Sequence, residues 1–364
     1  MKIVILGLSI TSAWGNGHAT TFRALCRALH GRGHEILFFE RNVEWYQNNR
    51  DLPHPEFCNV CVFEQWDEVE QKVRSELSDA DVAVLGSYFP DGVIAAELIA
   101  SSNAQVKAFY DIDTPITISM LRSRGATDYL RSDQVAYFDV YFSFTGGPML
   151  KEIEDSFGSP MALPLYCSFD PTEYFRRPCN RELASDLSYM GTYAADRQPK
   201  VKQFLVDVAE RAPGKTFIVA GPQYPSSLQW PENVRRITHL NPQWHAEFYS
   251  SSRFTLNVTR REMILAGYSP SVRLFEAAAC GACIVSDDWP GLNEFFEPGR
   301  EILLPTNTED VLRWIHELGD AEVERIGMST QARVLAEHTS ESRAREVEHA
   351  VERARALRSS AQRA

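Results

Sequence analysis

The sequence predicts an α/β protein made of two Rossmann-like, doubly wound parallel-sheet domains facing a cleft. Short β-rich runs alternate with stretches of helical periodicity along nearly the whole chain, the pattern of parallel strands covered by helices. The alternation breaks once, in the polar, proline-containing stretch Leu165–Asp186, and then resumes. The 364 residues also exceed the roughly 250–300 at which one hydrophobic core stops growing.

In the first half, Lys2–Leu8 is a β-rich run, followed by a glycine-containing loop and a helical stretch from about His18 to Gly31. Further strands are expected at His34–Glu40, Val60–Glu64, Asp81–Gly86, Val106–Asp111, Val140–Phe144 and Met161–Leu165. Trp66–Leu77, Gly92–Ala100 and Met149–Phe157 read as the intervening helices. After the break, strands are expected at Leu187–Gly191, Thr216–Ala220, Val234–Thr238, Phe254–Val258, Ala282–Ser286 and Glu301–Leu304. Helices are expected at Pro199–Arg211, Trp244–Ser251 and Ser271–Cys280, and the chain is helical from Thr308 onward. The domains are therefore placed at residues 1–166 and 187–340, with 167–186 as linker. The Arg/Glu-rich segment Glu341–Arg358 alternates its charges at helical spacing and reads as a solvated, salt-bridged helix.

Hydrophobic residues make up 44% and charged residues 24%, an ordinary globular balance. A net charge of −12 repels a phosphate backbone, so nucleic acid is not an expected partner. No apolar run approaches the roughly 18–20 residues of a transmembrane segment. The apolar opening Met1–Ile10 meets a glycine-rich loop rather than a small-residue cleavage site, so it reads as a strand and the protein as cytoplasmic. Seven cysteines, an odd number, argue against a disulfide framework. Cys58/Cys61 and Cys280/Cys283 have CxxC spacing, which suits tetrahedral zinc. However, Cys58–Phe63 alternates like a strand, which turns residues three apart to opposite faces, and no metal site is expected.

Ligands of doubly wound sheets bind beyond the carboxyl ends of the strands, where helix N-termini and backbone amides are free. After the first strand come Gly15, Asn16, Gly17 and His18. The two glycines permit a tight turn close to a ligand. His18 is either a general base suited to neutral pH or a local hydrogen-bonding residue. After Val106–Asp111, the carboxylates of Asp111 and Asp113 precede Pro115. They can cap the next helix, or one can accept a hydroxyl proton or hold a sugar hydroxyl.

In the second half, Gly191 lets backbone approach a ligand, and Arg197, Lys200 and Lys202 cluster near a helix N-terminus. Cations disfavour that end of the dipole, a conflict that a bound diphosphate removes. Ser271 opens the next helix, with Arg273 following, and Glu276 lies inside it among apolar residues. A carboxylate there needs a partner, and ribose or sugar hydroxyls are natural ones. Neither GxGxxG nor GxxxxGK[ST] occurs, which disfavours a nicotinamide dehydrogenase.

The run S-x-R-x-F-E-A-A-A-C-G-A-C-I-V-S-D, then P-G-L-x-E-F-F-E-P-G-R-E-I, spans Ser271 to Ile302. It resembles the second-domain signature of the GT-B glycosyltransferases, specifically the group 1 branch and its CgeB-like (spore maturation protein CgeB-like) subset. The Met-Gly-Thr-Tyr…Asp-Arg segment at 190–197, Asp-Ile-Asp-Thr-Pro at 111–115 and Gly-Asn-Gly-His at 15–18 resemble that subset as well. The resemblance implies a donor nucleotide on the C-terminal domain, an acceptor on the N-terminal one, and a last helix, 341–364, packed back onto the first domain. It implies that Glu276 binds the donor's ribose or sugar and that Arg197 and Lys202 meet the diphosphate, with Arg261, Ser271 and Arg273 nearby. Asp288 through Gly291 and Leu292 would line the sugar pocket. Neither metal nor cofactor is implied beyond the nucleotide-diphosphate sugar itself.

One position departs from the family pattern: Tyr268 stands where group 1 enzymes usually carry the first of two glutamates. That leaves donor sugar and stereochemistry open, and a base at Asp113 or His18 makes inversion by direct displacement plausible. The expected function is sugar transfer from a nucleotide-diphosphate donor to an unidentified acceptor. The alternatives are a nucleotide-sugar 2-epimerase and a catalytically silent carbohydrate- or nucleotide-binding scaffold.

Overall fold

A computed structural model describes residues 1–14 and 17–361. The chain divides into two units, Met1–Cys167 joined by the segment from Ser340 onward, and Ser168–Thr339. The first runs β1 (Lys2–Leu6), α1 (Gly17–Gly31), β2 (Glu35–Arg41), α2 (Glu44–Gln47), β3 (Asn59–Phe63), α3 (Trp66–Leu77) and β4 (Val82–Gly86). It continues with α4 (Gly92–Ser101), β5 (Val106–Asp111), α5 (Thr114–Arg124), β6 (Val140–Ser143), α6 (Pro148–Phe157) and β7 (Ala162–Pro164). All seven strands pair in parallel, in the order β3-β2-β1-β4-β5-β6-β7. β4 and β5 are buried along their whole length. Helices cover both faces of such a sheet, so its strands are almost continuously apolar instead of alternating.

The second unit runs β8 (Ser185–Met190), α7 (Gln198–Val201), a π-helical turn (Lys202–Val206), α8 (Asp207–Arg211), β9 (Phe217–Ala220) and β10 (Val234–Ile237). Then come α9 (His245–Ser251), β11 (Ser252–Asn257), α10 (Arg261–Ala266), α11 (Val272–Ala279), β12 (Cys283–Ser286), α12 (Thr308–Glu317) and α13 (Asp320–Glu337). The sheet is again parallel, in the order β10-β9-β8-β11-β12. Residues 168–184 contribute Phe169, Tyr174 and Leu183 as buried side chains. The strand expected at Glu301–Leu304 does not form. Leu303 makes one isolated bridge, donating its N–H to Ile284 and accepting from Ser286 at 2.9 Å each, and Pro305 has no donor with which to continue a ladder.

In each sheet the strand order reverses once, between β1 and β4 in the first unit and between β8 and β11 in the second. Ligand crevices open at such reversals, past the carboxyl ends of the strands.

The final helix, α14 (Ser340–Ala361), belongs to the first unit. Its Ala344, Val347, Ala350, Val351 and Ala354 enter the same core as Ile3 and Ile5 of β1 and Val82 and Val84 of β4. Its charged side pairs with the opposite ends of the strands. Glu348 takes Arg32 and His34, Arg355 takes Asp81 at 2.7 Å, and Arg358 takes Asp139 at 3.2 Å. The Arg/Glu alternation is thus a docking face as much as a solvated one. Among the described residues, no helix is long and apolar enough to cross a membrane.

Val351 is 1% exposed, so Val351→Asp places an unpaired carboxylate in this core. The expected cost is ~3 kcal/mol or more. Scanning calorimetry should show the first unit's thermal midpoint falling by roughly 6–12 °C, and an unchanged midpoint would mean that α14 does not contribute to this core.

Candidate functional site

The reversal in the second sheet brings together the loops after β8, β9 and β11. Gly191, which follows β8, has no room for a side chain. A Cβ there would stand 2.8 Å from the Tyr189 hydroxyl and 3.2 Å from Nη1 of Arg273. Gly221, after β9, has φ +139°, and its Cβ would fall 2.1 Å from the Gly191 carbonyl oxygen. That carbonyl accepts from the Tyr224 hydroxyl at 3.2 Å. Two glycines are therefore required for the loops to approach this closely.

Two guanidinium groups meet beside this pair. Arg197 is only 5% exposed, and its Nη2 donates to the Thr192 carbonyl at 2.5 Å. Arg273 reaches the Val258 carbonyl at 3.4 Å. The Nε of each is buried without a hydrogen-bond partner among the described residues. Burial, and then the charges of Arg273 and Arg260, hold Arg197 below the ordinary guanidinium value. Like charges gathered at one point, with buried donors left over, make a site that an anion stabilises.

Glu276 lies behind them on α11, 5% exposed. Burial pushes its carboxyl up to about 7, against the hydrogen bond from Tyr174 and the charge of Arg273. Ser271 occupies the N-cap of α11 but does not cap it, because its Oγ donates to Oδ1 of Asn257 at 2.8 Å. Arg273, Asn257 and Tyr249 help to line a small cavity, where the Tyr249 hydroxyl is buried without a partner.

Three of the expected cations stand elsewhere. Lys202 is exposed on the π turn and ion-paired with Asp207. Lys200 instead reaches Asp287 at 2.8 Å, and Asp287 also accepts from the backbone N–H and Oγ1 of Thr259 at 3.0 and 2.9 Å. Arg261 is exposed, and its amide donates to Asp196 at 2.9 Å. Its neighbour Arg260, not singled out by the sequence, is the one whose charge is felt at Arg197.

The turn through Asp288, Gly291 and Leu292 is exposed at Asp288 and buried at Leu292. It packs on Tyr268: a Cβ on Gly291 (φ +89°) would lie 2.4 Å from that ring, and the Tyr268 N–H donates to the Pro290 carbonyl at 2.6 Å. Tyr268 itself has φ +47°, a left-handed conformation that costs a non-glycine residue about 1–3 kcal/mol.

The reversal of the first sheet gathers a different chemistry. Gly15 and Asn16 lie outside the described residues. Gly17, exposed, begins α1. His18 follows, with Nε2 3.6 Å from Oδ2 of Asp113 and its ring edge-on to Tyr88 at 5.3 Å. Tyr88, two residues past β4, has φ +63° and packs on Tyr129 at 4.8 Å. It went unnoticed in the sequence because an aromatic residue after a strand carries no sign of a left-handed backbone.

The two carboxylates after β5 separate cleanly. Asp111 is fully buried and accepts from the Tyr141 hydroxyl at 2.5 Å, Oγ1 of Thr117 at 2.8 Å and the Asp113 N–H at 3.2 Å. Burial pushes it up to about 6 in spite of these bonds. Asp113 sits at the N-cap of α5 with no side-chain capping bond, its side chain 28% exposed. Asp111 spends its oxygens inside the fold, and Asp113 is the more accessible of the two carboxylates. Among the described residues, no three or more His, Cys, Asp or Glu side chains gather as a metal site.

Residues 197–349 match a protein-family model described as glycosyl transferase-like. A comparison with curated proteins finds no match. Among solved structures, the chain is similar to an α-glucosyltransferase in complex with UDP, with TM-score 0.71 at 14% identity, covering 97% of this chain and 100% of that one. It is similar to Anabaena HepE in complex with UDP, with TM-score 0.69 at 15% identity and coverage of 97% and 100%. It is also similar to sucrose-phosphate synthase from Thermosynechococcus elongatus, with TM-score 0.66 at 13% identity and coverage of 98% and 100%. The two parallel-sheet units are those of the GT-B fold.

Glu276 makes stability depend on pH. Its native value near 7 lies above the ordinary 4.5, so the native state binds more protons than the unfolded one between those values. Its contribution is full below about 4.5 and is lost as pH rises through about 7. Glu276→Gln should therefore raise the thermal midpoint at pH 8 by a few degrees relative to the native protein, with the difference shrinking toward pH 5. A pH-independent difference would show that ionisation at Glu276 is not what limits stability.

Proposed function

We propose that the protein is a metal-independent, CgeB-like glycosyltransferase that binds a nucleoside-diphosphate sugar in its second unit and carries base and acceptor groups in its first. The observation that supports this most is the pair of guanidiniums at the reversal of the second sheet, buried Arg197 and partly buried Arg273, whose buried Nε donors have no partner among the described residues. A diphosphate supplies the charge they lack, and the same cations stabilise it as a leaving group without a metal ion. The match to the glycosyl transferase-like model begins at Arg197, and the similar α-glucosyltransferase and HepE structures are complexes with UDP.

In this reading Glu276 receives ribose or sugar hydroxyls, and the Asp288–Leu292 turn, with Tyr268 against it, shapes the sugar pocket. On the first unit, Asp113 and His18 act as a base pair for an acceptor hydroxyl. The acceptor oxygen bonds to the anomeric carbon, and the bond from that carbon to the diphosphate breaks with its electrons leaving on the nucleotide. The hydroxyl proton passes to the Asp113–His18 pair. A base for the acceptor hydroxyl is what displacement with inversion requires. A cytoplasmic location fits this chemistry, since nucleotide sugars are its co-substrates.

A thermal-shift screen against UDP, GDP, TDP, ADP and CMP, with NAD as control, should give a rise with at least one nucleoside diphosphate and none with NAD. Absence of any rise would leave the fold as architecture without a donor site. EDTA should leave turnover unchanged. Asp113→Asn should reduce kcat at least a hundredfold, within the usual share of general base catalysis, while donor affinity changes less than twofold. Equal losses in both would return Asp113 to a structural role.

A further inference from the structure

Of the described non-glycine residues with positive φ, Tyr88 is the one that packs on the candidate base, His18. It stands third in the turn Gly86–Phe89, which leaves β4 at the reversal of the first sheet. The Phe89 N–H closes that turn on the Gly86 carbonyl at 3.4 Å. A positive φ at the third position is what glycine or asparagine supplies in most turns. The residues on either side are pinned, since Ser87 and Phe89 are both fully buried. The Ser87 N–H donates to the Tyr110 carbonyl at 2.9 Å, and its Oγ accepts from the Ile112 N–H at 3.0 Å. Phe89 packs between Phe63 and Trp66, 6.1 and 6.2 Å from their ring centroids. Tyr88, between the two, stays partly exposed.

The turn accounts for the backbone, and the contacts of the ring account for a tyrosine in place of glycine. On one side Tyr88 packs on Tyr129, with centroids 4.8 Å apart. Tyr129 is buried and itself fixed: its hydroxyl lies 2.7 Å from Oγ1 of Thr117, and its ring stacks on Phe109 at 6.5 Å. On the other side the Tyr88 ring stands at 88° to the His18 imidazole, with 5.3 Å between centroids. Edge-on contacts are directional, so a ring braced against a buried wall sets the plane of the ring it meets. Asp113 does not do this for His18. Its Oδ2 lies 3.6 Å from Nε2, beyond hydrogen-bond length, so the carboxylate attracts the imidazole without fixing its plane.

We propose that Tyr88, braced by Tyr129, is a positioning residue for His18 that aims the imidazole at Asp113 and at the acceptor hydroxyl. The proposal rests on the Asp113–His18 reading above and adds to it the residue that holds the pair in register. The strained backbone is kept because an aromatic side chain has to leave the chain at this angle, and a general base acts only when it is oriented on its proton.

Nuclear magnetic resonance of the full chain labelled with carbon-13 at histidine Cε1 tests this, with His18→Gln identifying the His18 signal among the nine histidines. In the wild type that signal should be single, with an order parameter in the rigid range of about 0.85, and should show a cross-peak to the Asp113 β-protons. Tyr88→Asn tolerates the left-handed backbone and removes the ring. Its order parameter should fall below about 0.6 and the cross-peak should weaken at least threefold. Its thermal midpoint should stay within about 2 °C of wild type, because relief of strain offsets the lost ring contact. Tyr88→Phe should restore the wild-type signal. A His18 signal in Tyr88→Asn as rigid as wild type overturns the proposal and leaves the Asp113–His18 pair standing. A larger fall in midpoint overturns it too, because the ring then serves the fold of the loop. An equal loss of order in Tyr88→Phe also overturns it, since the hydroxyl and not the ring would be the contact. A wild-type imidazole with no fixed orientation toward Asp113 overturns the base-pair reading together with the proposal.

Discussion

The repulsion between Arg197 and Arg273 is the constraint around which the second unit is arranged. A buried cation beside a partly buried one, each with an unspent buried donor, is unfavourable in an empty fold, and the surrounding structure holds them there by rigid means. Gly191 and Gly221 let three loops close on one point, Tyr224 fastens the Gly191 carbonyl, and Arg197 is held by the Thr192 carbonyl. Carbonyl oxygens take some of the donors, which keeps the groups in place without cancelling their charge. The chain is acidic overall, −12, so a carboxylate could readily have been placed opposite them. Glu276 is the nearest candidate, and it stays close to protonation because it is buried.

Carboxylates serve the opposite purpose at the ends of the strands. Glu40, at the end of β2, accepts from the N–H groups of Ile10 and Thr11 at 2.6 and 2.9 Å and from the Thr11 hydroxyl at 2.5 Å. Asp111 at the end of β5 takes two hydroxyls and one amide. Asp287, just after β12, takes Thr259 twice and Lys200 once. All three are buried, and all three spend their oxygens on neighbouring loops and elements around a candidate site. A carboxylate that accepts several such bonds orders backbone strongly while remaining out of reach of substrate.

This division explains which parts of the site were legible in the sequence. Strand ends and glycines follow from local periodicity and turn chemistry, so Gly191, Arg197, Arg273, Glu276 and Asp113 could be placed beside crevices. The phase of a helix is less secure. Reading Pro199–Arg211 as one continuous α-helix puts Lys202 near the phosphates, but the backbone makes a π turn from Lys202 to Val206. That turn closes i to i+5, with the Asp207 N–H on the Lys202 carbonyl, and brings the Lys202 and Asp207 side chains together. Lys200 is left to reach Asp287, 87 residues away. A bond of that span is invisible to any local pattern, as is the convergence of Tyr193, after β8, with Tyr224 and Trp230, both after β9.

Backbone strain completes the picture, because the three non-glycine residues with positive φ among those described are Tyr88, Gln223 and Tyr268. Each lies in a loop beside a reversal or, for Tyr268, against the Asp288–Leu292 turn, and each conformation costs about 1–3 kcal/mol that the packing around it must offset. Tyr268 is held by Pro290 and Gly291, Tyr88 by His18 and Tyr129, and Gln223 by the ties of Tyr224 on its C-terminal side. At all three positions the strain is offset by neighbouring side chains and backbone while the sheets remain regular. Tyr268, the position that departs from the two-glutamate pattern of the family the sequence resembles, packs its ring directly against Gly291, where a Cβ would lie 2.4 Å from it.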